Sequence, residues 1–292
     1  MSSSFLKVAH QGRNTWWRYW LAIPLILFFW FILGSIPYAA ALMLQDFNLG
    51  NVQEYLLLNL SFWFFGLGLA IAVCWIHRRS LLSLISADKS VRWGRIAQGF
   101  AVWLALMVAA VAISYGMNPS QLEWTLNWGT WLRFLPLALI MTPIQTTVEE
   151  LFFRGYLMQS LGLLTQHRWL VMLLSAILFA VPHFANPEMA ANPGVLALYY
   201  LLFGLVAALF TLKDNRLELI IGIHAANNLL GALLVSYPDS VFNTPTLLRY
   251  TTFNPVSSLI SFIILSGISY FWFFGRKKPM PLSMPEDSPG QV

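Results

Sequence analysis

A single cysteine, Cys74 in the middle of an apolar run, excludes an internal disulfide and a cysteine metal centre. Charge is scarce too: 10% of the 292 residues are Asp, Glu, Lys or Arg, against about 25% in a soluble domain. Internal repeats, a glycine-rich phosphate loop and the HExxH zinc-protease pattern are all missing. The net charge of +5 does not mark a nucleic-acid binder, because the basic residues stand in short blocks beside apolar runs. In that position they act as topology determinants. What the chain has is apolar surface, with 58% hydrophobic residues and a mean hydropathy of +0.65. This is the composition of a polytopic membrane protein.

Apolar runs that reach or approach spanning length, about 17 to 25 residues, fall at Trp20–Leu42, Tyr55–Ile76, Ile96–Met117, Trp131–Val148, Trp169–Phe184, Val195–Leu212, Leu217–Ser236 and Val256–Phe274. The reading is an all-α membrane bundle of about eight spans, the fifth short and the fourth continuing past Val148. Lys7, Arg13 and Arg18 ahead of the first run superficially resemble a signal peptide. The apolar segment from Tyr19 to Leu44 is too long for one and lacks a cleavage-like ending, so a retained anchor is expected. With the N-terminus inside, fifteen of the seventeen basic residues fall on the cytoplasmic side, leaving Arg133 and Arg249 outside. Both termini are therefore expected in the cytoplasm and the protein in the cell membrane. The loop from His77 to Arg95 reads as a solvated topology signal, the many tryptophans near span ends as an aromatic belt, and the Pro-rich tail after Lys278 as disordered. Three parts are expected: spans one to three in 1–130, a core in 131–240, and the last span with its tail in 241–292.

One stretch resists explanation by apolar packing. TPIQTTVEELFFRGY, Thr142 to Tyr156, puts Glu149 and Glu150 inside a span, where one acid at the centre costs about 2.5 to 3.5 kcal/mol. Glu150 precedes Arg154 by one helical turn, the spacing of an ion pair. Glu149 lies about 100° around the axis, on a stripe with Thr142, Gln145 and Thr146, and has no local cation. Such a carboxyl suits a general base or acid. In the fifth span Ser175, Phe179 and His183 share a face, with Pro182 expected to bend the helix. In the seventh, His224, Asn227, Asn228 and Gly231 form a polar stripe with a small residue. Counted from the basic ends of their spans, His183 and His224 are expected at depths differing by roughly 10 Å. A base, an orienting group and amide donors are the parts of a hydrolase site. The competing reading is a polar cluster that only packs helices.

The same residues carry a resemblance. EELFFR (Glu149 to Arg154) fits the pattern EExxxR, FAVPH (Phe179 to His183) fits FxxxH, and HAANN (His224 to Asn228) fits HxxxN, in that order on late spans. Over about residues 130–240 the chain resembles the CAAX-protease and bacteriocin-processing (CPBP) family of intramembrane proteases, also called Abi proteins. The resemblance implies an endopeptidase acting on a membrane-presented peptide or protein. Glu149 would activate water with His183, Glu150 and Arg154 would hold the helix and tune charge, and His224 with Asn228 would stabilise the oxyanion. Asn227 is a rival for Asn228. No cofactor is implied for glutamate-type chemistry; the alternative is zinc held by Glu149, His183 and His224. A catalytically silent scaffold keeping the cluster stays open, whereas a transporter lacks the expected inverted repeat. The lipid bilayer is the expected partner and nucleic acid is not. Substrate identity and oligomeric state are left undetermined.

Overall fold

Eight helical rods carry the eight apolar runs. They are α1 (Trp16–Met43), α2 (Asn51–Ile76), α3 (Trp93–Met117), α4 (128–164), α5 (Arg168–His183), α6 (Pro193–Asp214), α7 (Glu218–Leu233) and α8 (Pro255–Phe274). The computed structural model describes residues 4–44, 51–88, 90–241 and 243–275; Gly50, Lys89, Arg276, Lys277, Lys278 and the Pro-rich tail lie outside the described residues. Among the described residues α1, α2, α3, α6 and α8 are long and apolar enough to cross a membrane. The helices α5 and α7 are apolar but only 16 residues each. The long rod α4 is interrupted by the charged stretch, where Trp128–Glu150 passes into a π-helical segment, Leu151–Leu157, and then Met158–Leu164. The molecule is thus an all-α integral membrane bundle. The departure is a small sheet at one end, β1 (Leu122–Trp124), β2 (Val235–Ser236) and β3 (Leu248–Tyr250), in the order β1-β3-β2. Strand β3 pairs antiparallel with β1 and parallel with β2.

Small residues set how closely the rods approach. A Cβ on Gly222 of α7 would lie 2.0 Å from the Ile96 carbonyl oxygen of α3, and one on Gly99 would lie 2.3 Å from the Leu219 oxygen. These two helices therefore meet backbone to backbone, as glycine permits in membrane bundles. They run parallel, since Ile96 meets Gly222 and, further along both chains, Trp103 meets Asn227. The turn between α4 and α5 makes those two antiparallel, and Ser175 Oγ donates to the Phe153 carbonyl at 3.0 Å to fix their register. At the sheet end Trp131 Nε1 of α4 donates to the Leu233 carbonyl of α7 at 2.9 Å. Exposed Trp16, Trp20, Trp75, Trp93, Trp124, Trp128 and Trp169 stand near rod ends or in the adjoining connections, consistent with an interfacial belt.

The opposite, basic end differs from the solvated loop expected for His77 to Arg95. His77 is 1% exposed and Arg79 9%. His77 Nδ1 donates to the Arg13 carbonyl at 2.9 Å and Nε2 accepts from Tyr156 at 2.8 Å, with burial holding its pKa below the ordinary value. Arg79 donates to Gln159 Oε1 at 2.8 Å. The cause is α4, whose continuation to Leu164 offers polar side chains that the loop wraps and satisfies. Further round, Arg216 binds Glu218 and Asp88, and the Arg92 backbone N–H donates to Glu218 Oε1. Pro182 lies in the last turn of α5, which ends at the next residue, His183.

Candidate active site

Glu149 and Glu150 are 4% and 0% exposed, at the point where α4 turns π-helical. Local π geometry recurs at functional sites because it re-aims side chains within a continuous helix. Arg154 is fully buried and donates from Nη1 to Glu150 Oε1 at 2.9 Å, forming the pair that the spacing predicted. Its guanidinium lies 4.2 Å over the Phe179 ring, a cation–π contact that replaces part of its lost hydration.

His224 joins the two acids. Its Nδ1 stands 2.7 Å from the same Glu150 Oε1 that Arg154 holds. An ionised carboxylate only accepts, so Nδ1 carries a hydrogen. The other nitrogen, Nε2, faces Glu149 Oε2 at 3.6 Å. Two carboxylates and one guanidinium leave one negative charge uncompensated in an apolar interior. One further proton, on His224 Nε2 or on Glu149, brings the cluster to neutrality, which is the condition for burying it. The polar inventory is still not used up: among the described residues Glu149 Oε2, Glu150 Oε2, Gln145 Oε1, and Arg154 Nε and Nη2 find no hydrogen-bond partner.

His183 sits beside this cluster. Its Nδ1 donates to the Phe179 carbonyl at 2.8 Å, so in the neutral ring Nε2 is the acceptor. The ring is held between Phe179 and Tyr200, with centroids 4.5 and 4.4 Å away. No hydrogen bond joins His183 to Glu149 among the described residues. The bond from Ser175 to Phe153 sets Phe179 beside Phe153, with 5.3 Å between ring centroids, and beneath the Arg154 guanidinium, and His183 follows one turn further along α5. The expected depth difference between the histidines shrinks, because Phe179 touches both rings, with His224 at 6.1 Å. Counting from the start of α7 misleads: that helix begins inside the protein, with Glu218 fully buried and the Leu217 N–H bonded to the Ile85 carbonyl.

The α7 stripe supplies the amides. Asn227 and Asn228 are half-buried, and their side chains are joined, Asn227 Nδ2 donating to Asn228 Oδ1 at 3.2 Å. The Nδ1 atoms of His183 and His224 are committed to Phe179 and Glu150, which leaves each Nε2 for another partner; among the described residues no three His, Cys, Asp or Glu side chains are grouped to hold a metal ion.

Sequence reasoning missed Glu188 and Tyr200. Glu188 is buried in the connection after α5 and accepts from the Tyr200 hydroxyl at 2.6 Å, from Asn186 Nδ2 at 3.1 Å and from the Val241 N–H at 3.0 Å. This network ties the α7–α8 connection to the ring that backs His183. An acid within the otherwise uncharged connection from Phe184 to Asn192 was the available signal.

Residues 128–230 match a family model described as type II CAAX prenyl endopeptidase Rce1-like. The chain is also similar to a Bacillus subtilis (strain 168) protein named Uncharacterized protein YyaK, 32% identical over 289 residues, covering 92% of this chain and 95% of that one. No solved structure matches the chain.

Proposed function

We propose that this chain, which belongs to the CPBP family of Rce1-like membrane endopeptidases, hydrolyses a peptide bond in a membrane-presented peptide or protein with Glu149 as general base. A water lying between Glu149 and His183 Nε2 donates one hydrogen to each. Glu149 takes the proton as the oxygen attacks the carbonyl carbon. Asn228 and the Nε2–H of His224 donate to the oxygen that becomes negative, and the proton that Glu149 took from the water then passes to the leaving amine as the C–N bond breaks. Glu150 holds the His224 ring through Nδ1, and Arg154 balances the charge of Glu150. No step requires a metal.

The observation that supports this reading over a silent scaffold is the surplus of unpartnered polar atoms on Glu149, Glu150 and Arg154. A cluster kept only to glue helices gains stability by pairing such atoms and loses it by leaving them orphaned. The test compares membrane-peptide termini in cells carrying the wild type, Glu149→Gln and Asn228→Ala. Termini produced by the wild type should disappear in Glu149→Gln with folded protein retained, and should survive exhaustive chelation in isolated membranes. The same termini in all three strains would leave the scaffold as the function.

A further inference from the structure

We propose that Trp103 of α3 and Asn227 of α7 form a hydrogen-bond relay that turns the Asn228 amide so that its N–H₂ group, not its oxygen, faces the reacting carbonyl. The proposal rests on the peptidase reading above and adds a positioning residue outside the stretch matched by the family, 128–230.

The argument is an inventory of hydrogens. An indole N–H donates and cannot accept. Trp103 Nε1 lies 3.3 Å from the Asn227 side chain, so the atom it meets is the carbonyl oxygen Oδ1. That fixes the flip of Asn227 and points its Nδ2 at Asn228, 3.2 Å away. A donor there requires an acceptor, so Asn228 presents Oδ1 to Asn227. The Nδ2 of Asn228 is left facing away from the relay, and no hydrogen bond among the described residues claims it. An amide without this constraint has two orientations of nearly equal shape, and one of them aims a carbonyl oxygen at a developing oxyanion. Among the described residues the hydrogen bonds of His183, His224 and Glu150 go to groups other than the two asparagines, so they do not set this choice.

The fold gives the relay a rigid base. Trp103 is 1% exposed, with its ring edge-on to Phe262 at 5.9 Å. One turn before it, Gly99 lets α3 press on α7, so the indole cannot withdraw without separating the helices. A tryptophan in mid-span also stands apart from those at the rod ends. Apolar packing explains the ring, but not a nitrogen aimed at an asparagine.

The test uses full-length protein and Trp103→Phe, which keeps a buried aromatic ring and removes the N–H. In ¹⁵N-asparagine-labelled protein in micelles, the substitution should move the side-chain NH₂ resonances of both Asn227 and Asn228. In cells, it should lower the yield of Glu149-dependent termini about fivefold, the share of one neutral hydrogen bond, with folded protein unchanged. Added to Asn228→Ala, it should lower the residual yield no further. Movement of the Asn227 resonances alone, or an equal loss in the Asn228→Ala background, overturns the relay and leaves Trp103 a packing residue. If no terminus depends on Glu149, the peptidase reading fails, and the NH₂ resonances alone decide whether the relay exists.

Discussion

Arg154→Ala isolates the arrangement that makes two adjacent acids tolerable inside a span. The guanidinium and Glu150 are both 0% exposed and 2.9 Å apart. Removing one partner of such a buried pair costs about 3 to 5 kcal/mol, because the other is left as an uncompensated charge. Here the lower end of that range applies, since Glu150 keeps His224 at 2.7 Å. The cation–π contact with Phe179 is lost as well, a term of about 0.5 to 2 kcal/mol when counted separately. A loss of about 3 kcal/mol is a drop of roughly 10²-fold in the folded-to-unfolded ratio. Purified protein in mixed micelles, titrated with SDS and followed by tryptophan fluorescence, reads this directly. Glu149→Gln should move the midpoint little, because it removes a charge with no arginine partner. The double variant Glu150→Gln, Arg154→Met should recover much of the stability lost in Arg154→Ala, since an apolar replacement of the whole pair leaves no orphan charge. A cost below about 1 kcal/mol for Arg154→Ala, or a double variant as unstable as the two single losses summed, would refute this account of the pair.

Asn228→Ala should lower turnover of a membrane-presented peptide by about 10²- to 10³-fold, the usual cost of a preorganised oxyanion donor, while Asn227→Ala is milder; terminus profiling with each variant ranks them, and the reverse order would exchange their roles. Gly222→Val should be poorly folded, because a Cβ there meets the Ile96 carbonyl at 2.0 Å and the backbones of α3 and α7 have nowhere to retreat; a melting curve matching the wild type would contradict the close crossing. The clustering of Arg79, Arg92, Arg95 and Arg216 at one end leads to a proposed orientation with that end in the cytoplasm. Reporter fusions after Arg79 and Arg216 should therefore read inside and those after Asn118 and Asp239 outside, with a single reversal counting against it.

The parts legible from sequence are those whose cost in lipid is high. Spanning runs announce themselves by length, and Glu149, Glu150, Arg154, His183, His224 and Asn228 stand out because polar groups need a reason to be there. The Glu150–Arg154 pair follows from spacing within one helix. The sharing of His224 between both acids did not, because it depends on how α7 docks against α4, and no period in either helix encodes that docking. The strands β1 to β3 are two or three residues long and show no alternation to read. The basic loop misled for a different reason: positive residues beside a span satisfy the topology rule whether they are solvated or, like Arg79, folded back onto a neighbouring helix.

Depth is where local reasoning and the assembled bundle diverge most usefully. A helix in a membrane bundle need not start at the membrane surface: α7 starts under a cover made of Ile85, Ser90 and Arg92, with Arg216 and Glu218 paired beneath it. Starting deep lets 16 residues reach from that buried ion pair to the sheet end. His224, on its second turn, then meets the carboxylates of α4 and the Phe179 ring of α5 together. The parallel crossing at Gly222 then carries Asn227 to Trp103 on the same helix face of α3 that Gly99 opens. The deep start and short length of α7 are therefore what bring its histidine level with the acids. Lengthening α7 at its start by one turn would displace His224 by about 5.4 Å and take it out of hydrogen-bonding reach of Glu150.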